Sequence, residues 1–412
     1  MKTTLLAPSL LLAALSLASC GKQTLCTLEV TNPATVAREG EMAEVDAAAL
    51  TALKSQPFRL LDSKGKQVPA QWTYDGKLIF PVSLGAASTT TYRAVKGNPA
   101  KTDTLVYGRL FKERDDDFAW ENDRAGYRAY GPALQARGER GFGYDIFTKC
   151  VTYPVLEKFY ANECDHDAWT KINAWRRNGQ KAKGDSLERV ISYHVDHGEG
   201  MDVFSVGPTL GGGTAALLDG EGEIVYPWCY DQCEILDRGP LRFTVRLKFK
   251  PSAVGNDKNV VETRTISLDR GSFLNRTVEH YDGLSTTHPI VAGISLREQN
   301  PNGYYMNTSA GYVAYADSTD NAHVGNGVIY VAALSPQFSE TKVAAYTADE
   351  RRNHGNALGH VLAQGSYAPG SDFVYYWGSG WSKGFMPDMD TWKAYLTHYS
   401  RCLAAPLKVS VK

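Results

Sequence analysis

The 412-residue sequence predicts an all-β protein of two packed antiparallel sheets preceded by a small β domain, on three observations. Short segments of period-two apolarity recur along the chain, separated by Gly, Asp and Asn turns. No strand–helix–strand rhythm and no G-x-G-x-x-G occur, which argues against a doubly wound nucleotide fold. Aromatic residues make up 11%, with 23 Tyr and 8 Trp, and such side chains suit strands.

The chain opens with an export pattern. Lys2 is followed by an almost unbroken apolar run from Leu5 to Leu17, ending in Leu17-Ala18-Ser19-Cys20. The run is too short for a mature membrane span, so residues 1–19 read as a cleaved lipoprotein signal and Cys20 as the lipidated residue. The acyl chains would supply the only membrane contact. Gly21-Lys22-Gln23 carries no acidic cluster, which favours a periplasm-facing outer-membrane anchor in the cell envelope.

Residues 26–96 read as the small β domain. Leu28-Glu29-Val30 alternates, Phe58–Leu61 leads into Asp62-Ser63-Lys64-Gly65, and Leu78–Val82 follows Asp75-Gly76. Asp46–Leu50 fits a helical turn or a loop, and residues 97–106 are polar enough for a linker. The body spans 107–412. Strands are expected at Leu187–Val195, Asp202–Val206, Leu241–Phe249, Val260–Leu268, Phe273–His280, Ile290–Leu296, Gly327–Leu334 and Phe373–Trp377. Residues 154–178 lack alternation and read as an excursion with short helix possibilities.

Lys and Arg number 44 against 45 Asp and Glu, a balance with no general field for nucleic acid. Seven cysteines leave six if Cys20 is lipidated, enough for three disulfides whose pairing spacing cannot assign. The oligomeric state is not legible.

Two blocks carry the chemistry. The first, Tyr107–Leu134, mixes carboxylates, arginines and aromatics at a density costly to bury unless paired. Either Asp115, Asp116, Arg114 and Arg124 form an ion network, or Arg109, Arg124 or Arg128 offers a planar fork to an anionic substrate group. The second, Tyr193–Gly213, offers His194 and His197 beside Asp196, Glu199 and Asp202. A neutral imidazole suits a general base, and His197, entering Gly198-Glu199-Gly200, is preferred over His194. No cofactor is expected, with a divalent metal at His194 and His197 as the minor alternative. Tyr193 and Tyr127 are candidate acids. His354, Trp381 and Lys383 are candidate substrate contacts, Trp381 by stacking on a sugar ring. There is no G-x-S-x-G elbow, and Gly211–Gly213 lacks the Lys-Ser/Thr of a phosphate loop.

The Thr31-Asn32-Pro33 stretch, these two blocks and Trp377–Lys383 resemble a family of bacterial lipoproteins called domain of unknown function 4861. That resemblance covers essentially the whole mature chain. It implies a galactose-mutarotase-like β-supersandwich for the body and a role in polysaccharide utilisation. One related activity is a dehydratase acting on the terminal uronic acid of ulvan oligosaccharides. The implied partner is a uronic-acid-containing oligosaccharide, and the implied enzyme a carbon–oxygen lyase, eliminating water or a sugar to leave a 4,5-unsaturated uronate. In that chemistry His removes the C5 proton, Arg stabilises the enediolate and Tyr protonates the leaving oxygen. Two alternatives remain: a lipid-anchored glycan-binding protein without catalysis, and a glycoside hydrolase.

Overall fold

A computed structural model describes residues 23–412; the signal segment and Cys20 lie outside the described residues. Strands before residue 97 build two sheets. One orders Lys408–Val411, Thr24–Asn32, Ser88–Lys96, Phe58–Leu61 and Gln67–Val68; the other orders Arg38–Asp46, Lys77–Leu84 and Gln71–Trp72. Alternation drives their packing, since Leu28, Val30, Ala43, Val45, Leu78 and Phe80 meet in one buried cluster, with Glu44 and Asp46 exposed between and beside them. The C-terminal strand completes the first sheet, pairing Val411 with Leu28, so the last residues of the 107–412 segment close on the N-terminal unit. Gln71 seals the junction: its Oε1 accepts from the Leu241 and Arg242 amides, both at 2.9 Å.

The body centres on a nine-stranded sheet. Its main path runs Gln232–Arg238, Arg242–Lys248, Asp257–Asp269, Leu274–Asp282, Phe373–Trp381, Ile329–Leu334, Tyr312–Asp317 and Tyr304–Asn307, with Ser252–Val254 paired to Asp257–Asp269. Facing it, a four-stranded sheet orders Gly212–Leu217, His288–Leu296, Gly359–Tyr367 and Glu340–Ala345. Ile290, Ala292, Ile294 and Val361 share one core with Val313, Val331, Tyr375 and Trp377. A further four-stranded sheet, Asp145–Phe147, Gly126–Ala129, Asp117–Glu121 and Tyr107–Phe111, closes one end. Tyr144 stacks on Trp377 at 3.8 Å, and Trp120 meets the same indole edge-on.

The all-β, galactose-mutarotase-like supersandwich expected from the sequence is corrected by α-helices interleaved with these sheets. Leu156–Glu163, His166–Arg177 and Lys181–Ile191 occupy the excursion and run on through most of the strand expected at Leu187–Val195. The apolar positions Ala168 and Ile172 lie four apart, as do Leu187 and Ile191, and together they form a helical cluster. Asp165 caps the second helix, accepting from the Ala168 amide at 2.9 Å. Met389–Ala404 lays Trp392 and Leu396 on Tyr312, Tyr330 and Leu334 of the large sheet. Residues 203–206, expected as strand, have no strand pairing, and Asp202 makes one isolated bridge to Phe147. The three disulfides that the cysteine count permits do not form: Cys26, Cys150, Cys164, Cys229, Cys233 and Cys402 are free.

Candidate functional site

The end sheet places Arg128 opposite Asp145 on one neighbouring strand and Ala119 on the other. The buried guanidinium gathers three carboxylates. Nε donates to Asp145 at 3.1 Å, Nη2 to Asp202 at 2.8 Å and Nη1 to Asp117 at 3.3 Å. Nη1 also donates to Tyr193 Oη at 3.1 Å, Tyr130 Oη donates to Asp145 at 2.6 Å, and Tyr160 Oη to Asp117 at 3.1 Å. Arg128, with Arg114 acting on Asp117 from the side, does not fully offset three desolvated anions. Burial pushes the Asp117 carboxyl up to about 6 against the pull of Arg128. Burial also raises Asp202, with Asp145 adding to the effect and Arg128 opposing it.

His194 joins this cluster to the surface. Its exposed ring donates from Nδ1 to the Asp202 carbonyl at 2.7 Å, and the same nitrogen stands 3.9 Å from Asp202 Oδ2. The following turn is built by Asp196, whose Oδ1 accepts from Gly198 at 2.8 Å and Gly200 at 3.2 Å. Gly200 has φ +125°, and a Cβ there would lie 1.9 Å from the Thr148 carbonyl oxygen, so only glycine fits.

A second group of residues forms a cleft of about 190 Å³, lined in part by Ser205, Arg297, Asp317, Thr319, Asp320 and Asn356. Asp317 ends its strand and accepts from the Thr319 amide at 2.7 Å. Thr319 and Asn356 hold left-handed backbone, φ +68° and +60°, a strained state for side-chain-bearing residues. Asp317 Oδ2, Thr319 Oγ1 and Arg297 Nε are buried without hydrogen-bond partners. Each such orphan costs about 1–3 kcal/mol, which a ligand rich in hydroxyls would relieve. Burial lifts Asp317 to about 6, against the Thr319 amide and Arg297. Asp320, at the exposed rim, is raised by desolvation; Arg297 and His194 oppose the rise and Asp145 adds to it. Asp320 therefore lies in the electrostatic field of both the cleft and the Arg128 cluster.

The residues nominated from sequence are dispersed around this centre. Arg128 and Tyr193 meet in the cluster, and His194 borders it. Arg128 is enclosed by its own carboxylates, so it positions acids and has no free fork for a substrate anion. Tyr127 is fully buried; its hydroxyl donates to the Phe273 carbonyl at 3.1 Å and accepts from the Ser379 amide at 3.1 Å, which removes it as an acid facing a sugar. Arg109 sits on the sheet edge, paired with Glu157 and Glu113 and lying 3.7 Å over the Phe111 ring. Arg124 is 3.7 Å from Asp123 and 4.9 Å over the Phe385 ring. His197 is exposed, its Nε2 3.3 Å from the Ser192 carbonyl, and Glu199 turns away to Lys158 and Tyr153. Trp381, expected to stack on sugar, is buried with its indole N–H on the Asn326 carbonyl at 2.8 Å, and Lys383 stands 6.0 Å over its ring. His354 stacks on Tyr346 beside the cleft residue Gly355. Among the described residues, no group of three or more His, Cys, Asp and Glu is placed to hold a metal ion. His194 and His197 reach different backbone carbonyls.

Arg297, Asp317, Thr319 and Asp320 were not singled out from sequence. The only signal was the small polar run Asp317-Ser318-Thr319-Asp320-Asn321 directly after the apolar stretch 312–316, with two carboxyls three residues apart.

Residues 30–409 match the family described as Domain of unknown function (DUF4861), and the chain belongs to that family. Uncharacterized protein P7 of Formosa agariphila is 26% identical over 348 residues, covering 81% of this chain and 78% of that one. Among solved structures, an alpha-mannosidase from Enterococcus faecalis V583 aligns with TM-score 0.46 and 8% identity, over 94% of this chain and 46% of its own. A protein in the glycosyl hydrolase family 38 from Enterococcus faecalis aligns at 0.46 and 9%, over 94% and 47%. The chain thus spans about half the length of those structures. The carbon–oxygen lyase expected from the sequence, a dehydratase or β-eliminating enzyme, is corrected at this point. Of the residues nominated for elimination, Arg128, Tyr193 and His194 come together, but the Arg128 guanidinium is taken up by Asp117, Asp145 and Asp202, while His197 and Tyr127 bond elsewhere. At these scores the likeness supplies no mechanism of its own.

Proposed function

We propose that the protein is a glycan-acting glycoside hydrolase whose site is the Arg297–Asp317–Asp320 cleft. The observation that carries this reading is the pair Asp317 and Asp320. Both carboxyls are held above the usual range, and they line one cleft with buried, unpartnered polar atoms. Glycosidic bonds are cleaved between two carboxyl groups, one protonated to donate to the leaving oxygen. In this reading Asp320, reaching solvent at the rim, is the proton donor. Asp317 is the second carboxylate, and Arg297 and Thr319 fix sugar hydroxyls through their free donors. In this reading the Arg128 cluster lies outside the cleft lining and acts on Asp320 through space, by Asp145 and His194.

The test is the release of reducing ends from a panel of neutral and acidic oligosaccharides by the full chain, alongside Asp320→Asn and Asp317→Asn. Hydrolysis lost in both variants supports the reading. Binding of the panel without hydrolysis by the wild type would favour a glycan-binding protein. The same reading places the protein in the cell envelope through a lipid on Cys20, supported by the Leu5–Leu17 run and Leu17-Ala18-Ser19-Cys20. Cys20→Ala should then move it from the membrane fraction to the soluble one.

A further inference from the structure

An aromatic wall runs from the cleft to a single exposed indole. Gly355 and Asn356 line the cleft, and their chain neighbour His354 stacks on Tyr346 at 4.4 Å and 12°. Tyr226 lies 5.1 Å from His354, Phe142 5.6 Å from Tyr226, and Trp228 6.4 Å from Phe142. The inner rings pack on one another. Trp228, at the end, is 60% exposed, although water contact is unfavourable for so large an apolar face.

Beside Trp228 is a notch with about 20 Å³ of room, lined by Lys250, Ser252, Glu262 and Tyr281 among others. Tyr281 is buried, and its hydroxyl has no hydrogen-bond partner. Glu262 is ion-paired with the buried Arg264. A space of that size admits one water or one hydroxyl group and no ring.

We propose that Trp228 and this notch form a distal sugar subsite. One pyranose lies with its C–H face on the indole, and a hydroxyl enters the notch to meet Tyr281, with Lys250 at the rim. An apolar face beside a small hole that admits only a hydroxyl and holds one unpartnered phenol fits a sugar ring better than a flat aromatic or an acyl chain. The subsite rests on the reading of the cleft as a glycan site. It adds that the substrate is an oligosaccharide long enough to follow the wall from Asp320 to Trp228.

Trp228→Ala, a surface change, tests this with neutral disaccharides and hexasaccharides in both hydrolysis and affinity-electrophoresis assays. The hexasaccharide KM and gel retardation should weaken by roughly tenfold, with kcat and disaccharide kinetics unchanged. Tyr281→Phe should weaken the same hexasaccharide binding by a smaller factor. If wild type hydrolyses and Trp228→Ala matches it on hexasaccharides, the subsite is wrong and the cleft reading stands. If hexasaccharide retardation depends on Trp228 but no substrate is hydrolysed, the subsite stands and the hydrolase reading falls. A variant weakened equally on disaccharides overturns the distal placement.

Discussion

Arg128 donates to the Asp202 carboxylate at 2.8 Å, and the carbonyl of that same aspartate receives His194 Nδ1 at 2.7 Å. One buried guanidinium thereby sets an exposed imidazole without touching it. Arg128→Met should leave Asp117, Asp145 and Asp202 without their common partner, and breaking a buried pair from one side costs about 3–5 kcal/mol. Arg128→Lys keeps the charge but cannot reach three carboxylates from one nitrogen, so it should recover only part of the loss. Urea midpoints of the three proteins decide this. Equal midpoints would mean the cluster contributes nothing to stability.

Lys149 and Glu121 form a second buried pair, both without exposure. Lys149 Nζ also donates to the Asn122 carbonyl at 2.7 Å and the Tyr153 carbonyl at 2.9 Å. Glu121 accepts from the Val155 and Leu156 amides at the start of the helix Leu156–Glu163, the latter at 2.8 Å. Glu121→Gln should destabilise by about 3–5 kcal/mol because an uncompensated ammonium stays buried. Adding Lys149→Met should return part of that loss, a non-additivity that denaturant titration reads directly. Strict additivity would show that the two side chains do not interact.

How far these features were legible depends on the distance over which their cause acts. The strand Arg242–Lys248 was visible because Phe243, Val245 and Leu247 alternate with Thr244 and Arg246, and every second one meets the core. The helix Lys181–Ile191 was misread as strand at its end. Val190 and Ile191 favour strands locally, and Gln180 makes no side-chain cap to announce a helix. From sequence the ion network was expected among Asp115, Asp116, Arg114 and Arg124, with Arg128 open as a substrate clamp. The buried network instead joins Arg128 to Asp117, Asp145 and Asp202, and Asp145 lies outside both blocks. The cleft was not legible, because Ser205, Arg297, Asp317 and Asn356 come from four separate segments that only the packed sheets bring together.

Burial holds the Asp317 carboxyl at about 6, above its ordinary 3.8. The folded state therefore keeps a proton that the unfolded chain releases, so this group's contribution to stability is full below the lower value and falls as pH rises through the window between them. Asp317→Asn retains an oxygen for the Thr319 amide and removes the titration. The variant should gain stability relative to wild type above pH ~6 by about 1–3 kcal/mol, with little difference near pH ~4. Thermal melts at the two pH values check the sign. A constant difference across the window would show that Asp317 does not titrate there.

Asp320 and His197 separate the cleft from the histidine turn as the seat of catalysis. Asp320 stands at the cleft rim with a carboxyl raised by desolvation and by Asp145. His197 is exposed, its Nε2 3.3 Å from the Ser192 carbonyl. A proton donor to a leaving oxygen contributes typically 10²–10⁴ in rate, so Asp320→Asn should lower kcat by about that factor while substrate affinity and melting temperature hold. His197→Ala should change kcat by less than about twofold, since a side chain outside the reacting centre has no differential contact with the transition state. Steady-state kinetics on any oligosaccharide that the wild type hydrolyses compare the two. A folded Asp320→Asn protein with full turnover, beside a His197→Ala protein that has lost it, would move the site from the cleft to the turn at Asp196–Gly200.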